Sequence, residues 1–139
     1  MNATVTKFNK HQIYGILKNY HWMVKEIQRI DHYLSETDFR GAAQYGIEAT
    51  LPKAQGVVGK ALENEVIRRV NKSKRLQKYI EEVNFINERI PLITDEKEKV
   101  VLDCLLDGMS LTGISKHMGI SRVQITTIRD DVVDKLARD

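Results

Sequence analysis

Residues 110–129 read SLTGISKHMGISRVQITTIR, and the fold turns on how this stretch is read. Its apolar residues Leu111, Ile114, Met118, Ile120, Ile125 and Ile128 recur where a short helix, a tight turn and a second helix would share one small core, the pattern of a helix-turn-helix. Ser110 precedes the first periodic residue and reads as an N-cap, its hydroxyl accepting from an otherwise unpaired N–H of the opening turn. Ser115 falls where the two helices approach most closely, so a larger side chain would hold them apart. Gly119 ends the first helix at a position wanting positive φ, which costs a residue with a Cβ roughly 1–2 kcal/mol.

Ser121 then caps the second helix, along which Ile125, Ile128, Val132 and Leu136 step by three and four and bury one stripe. The opposite stripe carries Arg122, Val123, Thr126 and Thr127, with Gln124 and Arg129 at its margins. Such side chains reach base edges, or a thymine methyl, when a helix N-terminus enters a major groove. Arg122 is expected at a guanine edge or a phosphate, and Gln124, Thr126 and Thr127 at bases or backbone. Lys116 and His117 on the preceding helix are expected near phosphates. Two amphipathic helices joined at a glycine also occur as plain packing. What favours the DNA reading is the small residue, the turn glycine, both caps and the two isoleucines falling in one register.

Upstream, Thr94 looks like the cap of a helix whose first turn carries Asp95 and Glu96, where the helix dipole favours negative charge. Val100, Val101, Cys104 and Leu105 supply its buried side and Gly108 closes it. A three-helix C-terminal domain over residues 93–139 follows. It holds seven Lys/Arg against nine Asp/Glu, so it is not a polycation. Affinity for a duplex must come from a few placed cations or from the rest of the chain.

Residues 1–92 read as long helices in a hairpin or coiled-coil-like region. Helix one is expected over about 9–36, with Ile13, Ile16, Tyr20, Met23, Ile27, Ile30 and Leu34 spaced as a heptad seam. Its partner is a helix of the same chain or of a second copy. Trp22, off that seam, reads as a partly exposed aromatic. Between 37 and 56 the periodicity vanishes and Gly41, Gly46 and Pro52 appear, which reads as an irregular connection. Helix two is expected from about Gly56 to Ile90, where Pro91 forbids easy continuation. Leu62, Val66 and Val70 mark its apolar stripe, resumed by Leu76, Ile80, Val83, Ile86 and Ile90. The run RRVNKSKR, Arg68 to Arg75, is either a solvated face or an additional phosphate-contacting surface.

The expected fold class is therefore all-α. At 139 residues the chain buries one core or two small ones. Its net charge of +3 says little alone, and one cysteine excludes an intramolecular disulfide, so a reducing cytoplasm suits it. No apolar run approaches the ~20 residues of a membrane span, and no signal-peptide apolar region is evident. His11, His21, His32 and His117 are scattered without metal-ligand spacing. Neither a phosphate-binding glycine loop nor a nucleophile elbow appears. An enzyme, a cofactor, a metal and a small-molecule substrate are therefore not expected.

Residues 94–136, TDEKEKVVLDCLLDGMSLTGISKHMGISRVQITTIRDDVVDKL, resemble the fourth region of bacterial primary-type sigma factors. The last helix aligns without a gap through Ser121, Arg122, Ile125, Ile128 and Lys135–Leu136. The whole layout, with its long first helix, the YGIEATLP connection, a second long helix and this domain, is similar to phage late-gene transcriptional regulators of the RinA and ArpU type. That resemblance implies a phage or prophage activator in the cytoplasm of a bacterial host. Its implied partners are double-stranded DNA, host RNA polymerase and further copies of itself, as a homodimer or higher homo-oligomer. Sigma factors usually carry Glu or Arg where this chain has Val123, Gln124 and Thr126, so their promoter specificity does not carry over. No counterpart of the sigma region that melts promoter DNA is visible. The competing expectation is a phage assembly, packaging or adaptor protein that uses the helix-turn-helix only as a packing module.

Overall fold

Asn9 and Gln12 begin the first helix reciprocally, each side-chain oxygen accepting from the other's backbone N–H at 2.8 and 2.9 Å. This is a capping-box arrangement. From there the computed structural model, which describes residues 7–48 and 55–138 and the side chains of 7–35 and 59–138, is all helical. Its elements are α1 (Lys10–Glu48), α2 (Gln55–Arg89), a 3₁₀ turn (Ile90–Leu92), α3 (Glu96–Leu106), α4 (Leu111–Met118) and α5 (Arg122–Leu136).

The irregular connection expected at 37–56 is a correction, because α1 continues through Gly41 and Gly46 to Glu48. A helix-interior glycine costs about 1 kcal/mol relative to alanine, which weakens a helix without breaking it. The rest of the connection, 49–54, lies outside the described residues. At the other end of α2, Pro91 enters the 3₁₀ turn that closes on the Ile93 N–H to Ile90 carbonyl bond, 3.0 Å.

Two units divide the chain, Met1–Val24 with Glu81–Asp139, and Lys25–Ile80. In the first, Val101, Cys104, Ile114 and Ile125 form the centre of the three C-terminal helices, with Leu111, Met118, Ile120 and Ile128 packed around them as the sequence pattern predicts. The unit extends past the 93–139 segment drawn from sequence. The first turns of α1 strap onto α5: Lys10 pairs with Asp134 at 2.7 Å, and Tyr14 donates to Asp130 at 2.5 Å. Since a step of four forward along α1 matches four backward along α5, the two run antiparallel. The end of α2 joins through Phe85, edge-on to Phe8 at 4.9 Å, and through Arg89, which donates to the Arg138 carbonyl at 3.1 Å. Lys135 and the buried Glu98 form an ion pair between the far end of α5 and the start of α3.

The cap of α3 is Asp95 rather than Thr94. The Asp95 carboxylate accepts from the Glu98 N–H at 3.2 Å, while its backbone is still extended. Cys104 is buried as expected, and burial, followed by the charges of Asp103 and Asp107, pushes its thiol pKa up.

In the second unit Ile30 is fully buried and Ile27 and Leu34 half-buried, so the α1 seam holds. The expected α2 stripe holds at Leu76 and Ile80, half-buried, and at Val83 and Ile86, buried, but not at Leu62, Val66, Val70 or Ile90. Facing α1 are Glu65, which accepts from the Tyr33 hydroxyl; Arg69, which donates to the Leu34 carbonyl at 3.4 Å; and Lys72, whose ammonium stands 3.4 Å from the centre of the Tyr33 ring. Leu62, Val66 and Val70 are 41, 51 and 47% exposed. The register of Leu76 and Tyr79 continues backward to Lys72, Arg69 and Glu65. Val66 and Val70 each sit one position past a seam residue, about 100° round the helix.

Candidate nucleic-acid interface

Three small side chains and one glycine build the bihelical turn. The Ser110 hydroxyl accepts from the Gly113 N–H at 3.0 Å and opens α4. Gly119 closes it in the left-handed region at φ 70°, its N–H bonded to the Ser115 carbonyl at 2.9 Å. No heavy atom lies within 4 Å of a Cβ built there, so the glycine is required by conformation and not by space. Ser115 does more than stay small: its hydroxyl donates across the turn to the Ile120 carbonyl, tying α4 to the approach of α5. Ser121 then accepts from the Gln124 N–H at 3.2 Å while the Gln124 side-chain oxygen accepts from the Ser121 N–H at 3.3 Å. This second capping box is legible in the sequence as serine and glutamine three apart.

The structure sorts the sequence-predicted site residues into groups. Arg122, Val123, Thr126 and Thr127 share the outer side of the first two turns of α5. Val123 is 76% exposed. The hydroxyls of Thr126 and Thr127 donate inward to the Arg122 and Val123 carbonyls at 3.0 and 3.1 Å. They therefore present methyl groups and acceptor lone pairs outward. Ser121 and the oxygen of Gln124 are engaged in the cap. Arg129 is turned toward α1, its guanidinium 4.9 Å from the Tyr14 ring and 3.3 Å from Asp130. Its Nε is buried without an acceptor among the described residues. Lys116 and His117 are exposed at the end of α4. His117 does not join the α5 stripe. It lines a different cavity of about 600 Å³ whose other walls are Ile90, Pro91, Ile93, Thr94 and α3.

Sequence reasoning missed Lys18. It lines a cleft of about 520 Å³ with Tyr14, Leu17, Met109, Arg122 and Arg129, beside the N-terminal end of α4. The available signal was that no Asp or Glu precedes Glu26 while Lys7, Lys10, Lys18 and Lys25 do. The bond to Asp130, then burial, then the Asp130 charge raise the Tyr14 pKa, so the strap between α1 and α5 holds its proton through the neutral range.

An α-helix with its side chains is about 10–12 Å across and the major groove about 12 Å wide. The outer stripe stands at the N-terminal, partially positive end of α5. These features define an all-helical protein with a capped helix-turn-helix at its C-terminal end. The chain belongs to the same family as the uncharacterized protein YqaQ of Bacillus subtilis (strain 168), to which it is 37% identical over 138 residues, covering 94% of this chain and 90% of YqaQ. No family model and no solved structure matches the chain. Among the described residues no helix is long and apolar enough to cross a membrane.

Proposed function

We propose that this chain is a sequence-specific DNA-binding transcription regulator, acting by binding and not by catalysis in the cytoplasm of a bacterial host. The observation that carries the reading is the uncovered outer stripe of α5, where the bare Val123 stands between Arg122 and Thr127 on a helix capped at its N-terminus. In the proposed mode α5 enters the major groove. Arg122 bonds a guanine edge, Val123 packs on a thymine methyl, and the outward lone pairs of Thr126 and Thr127 accept from base amino groups. Lys18 and Lys116 hold flanking phosphates. The resemblance of the C-terminal helices to the fourth sigma region, and of the whole layout to RinA and ArpU regulators, supports the narrower role of a phage or prophage late-gene activator. In that role it works with host RNA polymerase as a homodimer or higher homo-oligomer.

Fluorescence anisotropy with duplexes from its own promoter region, and scrambled controls, over a salt series tests this. A good bidentate base contact contributes about 1–3 kcal/mol of discrimination. Arg122→Ala should therefore weaken binding to the specific duplex by roughly fivefold to a hundredfold while changing scrambled-duplex binding far less. Equal loss on both would reduce Arg122 to a phosphate contact. Micromolar or weaker binding with no salt dependence would remove the DNA reading and favour the adaptor, since phosphate neutralisation makes affinity fall with salt.

A further inference from the structure

The second unit, residues 25–80, presents the first half of α2 in an unusual way, with three charged side chains turned in and four aliphatic ones turned out. Toward α1 go Glu65, Arg69 and Lys72, the last only 7% exposed. Outward go Leu62, Val66, Ile67 and Val70, each 41–52% exposed. Leu62, Val66 and Val70 follow one another a turn apart, so they form a single stripe about 12 Å long. Beside its C-terminal end lies a groove of about 460 Å³ lined by Leu34, Arg69, Val70, Ser73, Lys74 and Gln77. The stripe thus carries a protruding leucine at one end and a hollow at the other.

We propose that this stripe is where a second copy of the chain docks, with the two α2 helices antiparallel. Leu62 of each copy then enters the groove beside the other copy's Val70, and Val66 meets Val66 on the two-fold axis. A knob and a hollow on one surface are what a self-complementary two-fold interface requires. Charge selects the direction. A parallel pair, related by a two-fold along the helix axes, would put Glu63 of one copy and Lys74 of the other on opposite sides of the seam. The antiparallel pair instead sets the Glu63 end of one stripe toward the Lys74 end of the other. Glu63 and Lys74 lie on the same flank, five residues out of register, about 7.5 Å along the axis, a gap a lysine side chain spans. The inference rests on the self-association in the proposed function and gives it a surface, but does not depend on DNA binding.

Sedimentation velocity of the full chain without DNA, over a concentration series, provides the test. The wild-type protein should sediment as a dimer, and Val66→Glu as a monomer with unchanged helical circular dichroism. A second measurement covers the case in which that variant misfolds. Leu62→Cys and Val70→Cys proteins, mixed and oxidised mildly, should give the mixed disulfide in preference to either homodisulfide, the native Cys104 being buried. Wild-type protein that stays monomeric, Val66→Glu protein that stays dimeric while folded, or predominant homodisulfides would each overturn the docking mode. A monomer that still binds its promoter specifically would sink this inference alone, and a dimer that binds no DNA would sink only the DNA reading.

Discussion

Replacing Gly119 by alanine isolates one physical quantity, because nothing lies within 4 Å of the added methyl while the backbone sits at φ 70°. The expected loss is then the left-handed penalty alone, roughly 1–2 kcal/mol for a residue with a Cβ. The alanine also restricts the unfolded chain, which offsets about 0.4–1 kcal/mol of it. A net destabilisation of about 1 kcal/mol remains, roughly a fivefold change in the folding equilibrium and a few degrees in Tm. Gly108 supplies the contrast. Its φ is 89°, and a Cβ there would stand 3.0 Å from the His21 ring and 3.2 Å from the His21 Cβ. Gly108→Ala should lose the same conformational quantity plus an overpacking loss of about 1–3 kcal/mol. Adding His21→Ala should recover the packing part and leave the conformational part. Urea unfolding followed by far-ultraviolet circular dichroism measures all four proteins. Equal losses at the two glycines, or no recovery with His21→Ala, would refute the separation of backbone strain from close approach and with it the packing of α1 on the α3–α4 turn.

Two further predictions concern the polar contacts. The Tyr14 pKa is raised, first by its bond to Asp130, so the folded protein holds that proton more tightly than the unfolded chain. The stabilisation is complete below pH 10 and drains away as pH rises through the folded-state pKa. Tyr14→Phe should remove this alkaline decline and lower neutral-pH stability by about 1 kcal/mol, read from denaturation midpoints against pH; an unchanged alkaline slope would contradict it. Lys72 has its pKa lowered, chiefly by burial and then by Arg68 and Arg29. Lys72→Met should leave stability at pH 7 unchanged or raise it by about 1 kcal/mol, as replacement of a buried ion by an apolar isostere often does; a clear loss would mean that the contact with Tyr33 outweighs desolvation.

The C-terminal helices were legible because each feature there is local. Caps, the turn glycine and the apolar spacing are written within three or four residues of where they act, and both serine caps and all six apolar positions stand as read. The register of the first half of α2 was not legible, because apolarity and seam position part company there, whereas Leu76, Ile80, Val83 and Ile86 stand on the inner side as read. A spacing rule assigns Leu62, Val66 and Val70 to the buried side. What competes is Tyr33, which takes Glu65 through its hydroxyl and Lys72 through its ring face and so makes a polar seam tolerable. That partner lies more than thirty residues away in sequence. The length of α1 was hidden for a simpler reason, since two glycines imitate a loop in composition without enforcing one. In the candidate site, sequence located the outer stripe but not how its members are spent on their own helix: Gln124 in the cap, Arg129 against Tyr14 and Asp130, both threonine hydroxyls on main-chain carbonyls.

Those internal commitments bear on how a C-terminal segment with more acids than bases could approach a duplex at all. The acids of α5 lie after its second turn, and two of the three are engaged: Asp130 by Tyr14 and Arg129, and Asp134 by Lys10 from the acid-free start of α1. The end of α5 that would enter a groove carries no acid in its first turn and has Lys18 and Arg122 lining the adjacent cleft. Net charge counted along the sequence therefore misstates the field a phosphate would meet, because screening in the ~10 Å range weights near charges over distant ones. The strap from α1 to α5 accordingly acts twice, fixing α5 against the long helix and, through Lys10, offsetting the charge of Asp134, which under the proposed function would repel DNA. A Lys10→Glu change should thus weaken non-specific as well as specific binding, whereas Arg122→Ala should fall mainly on the specific term.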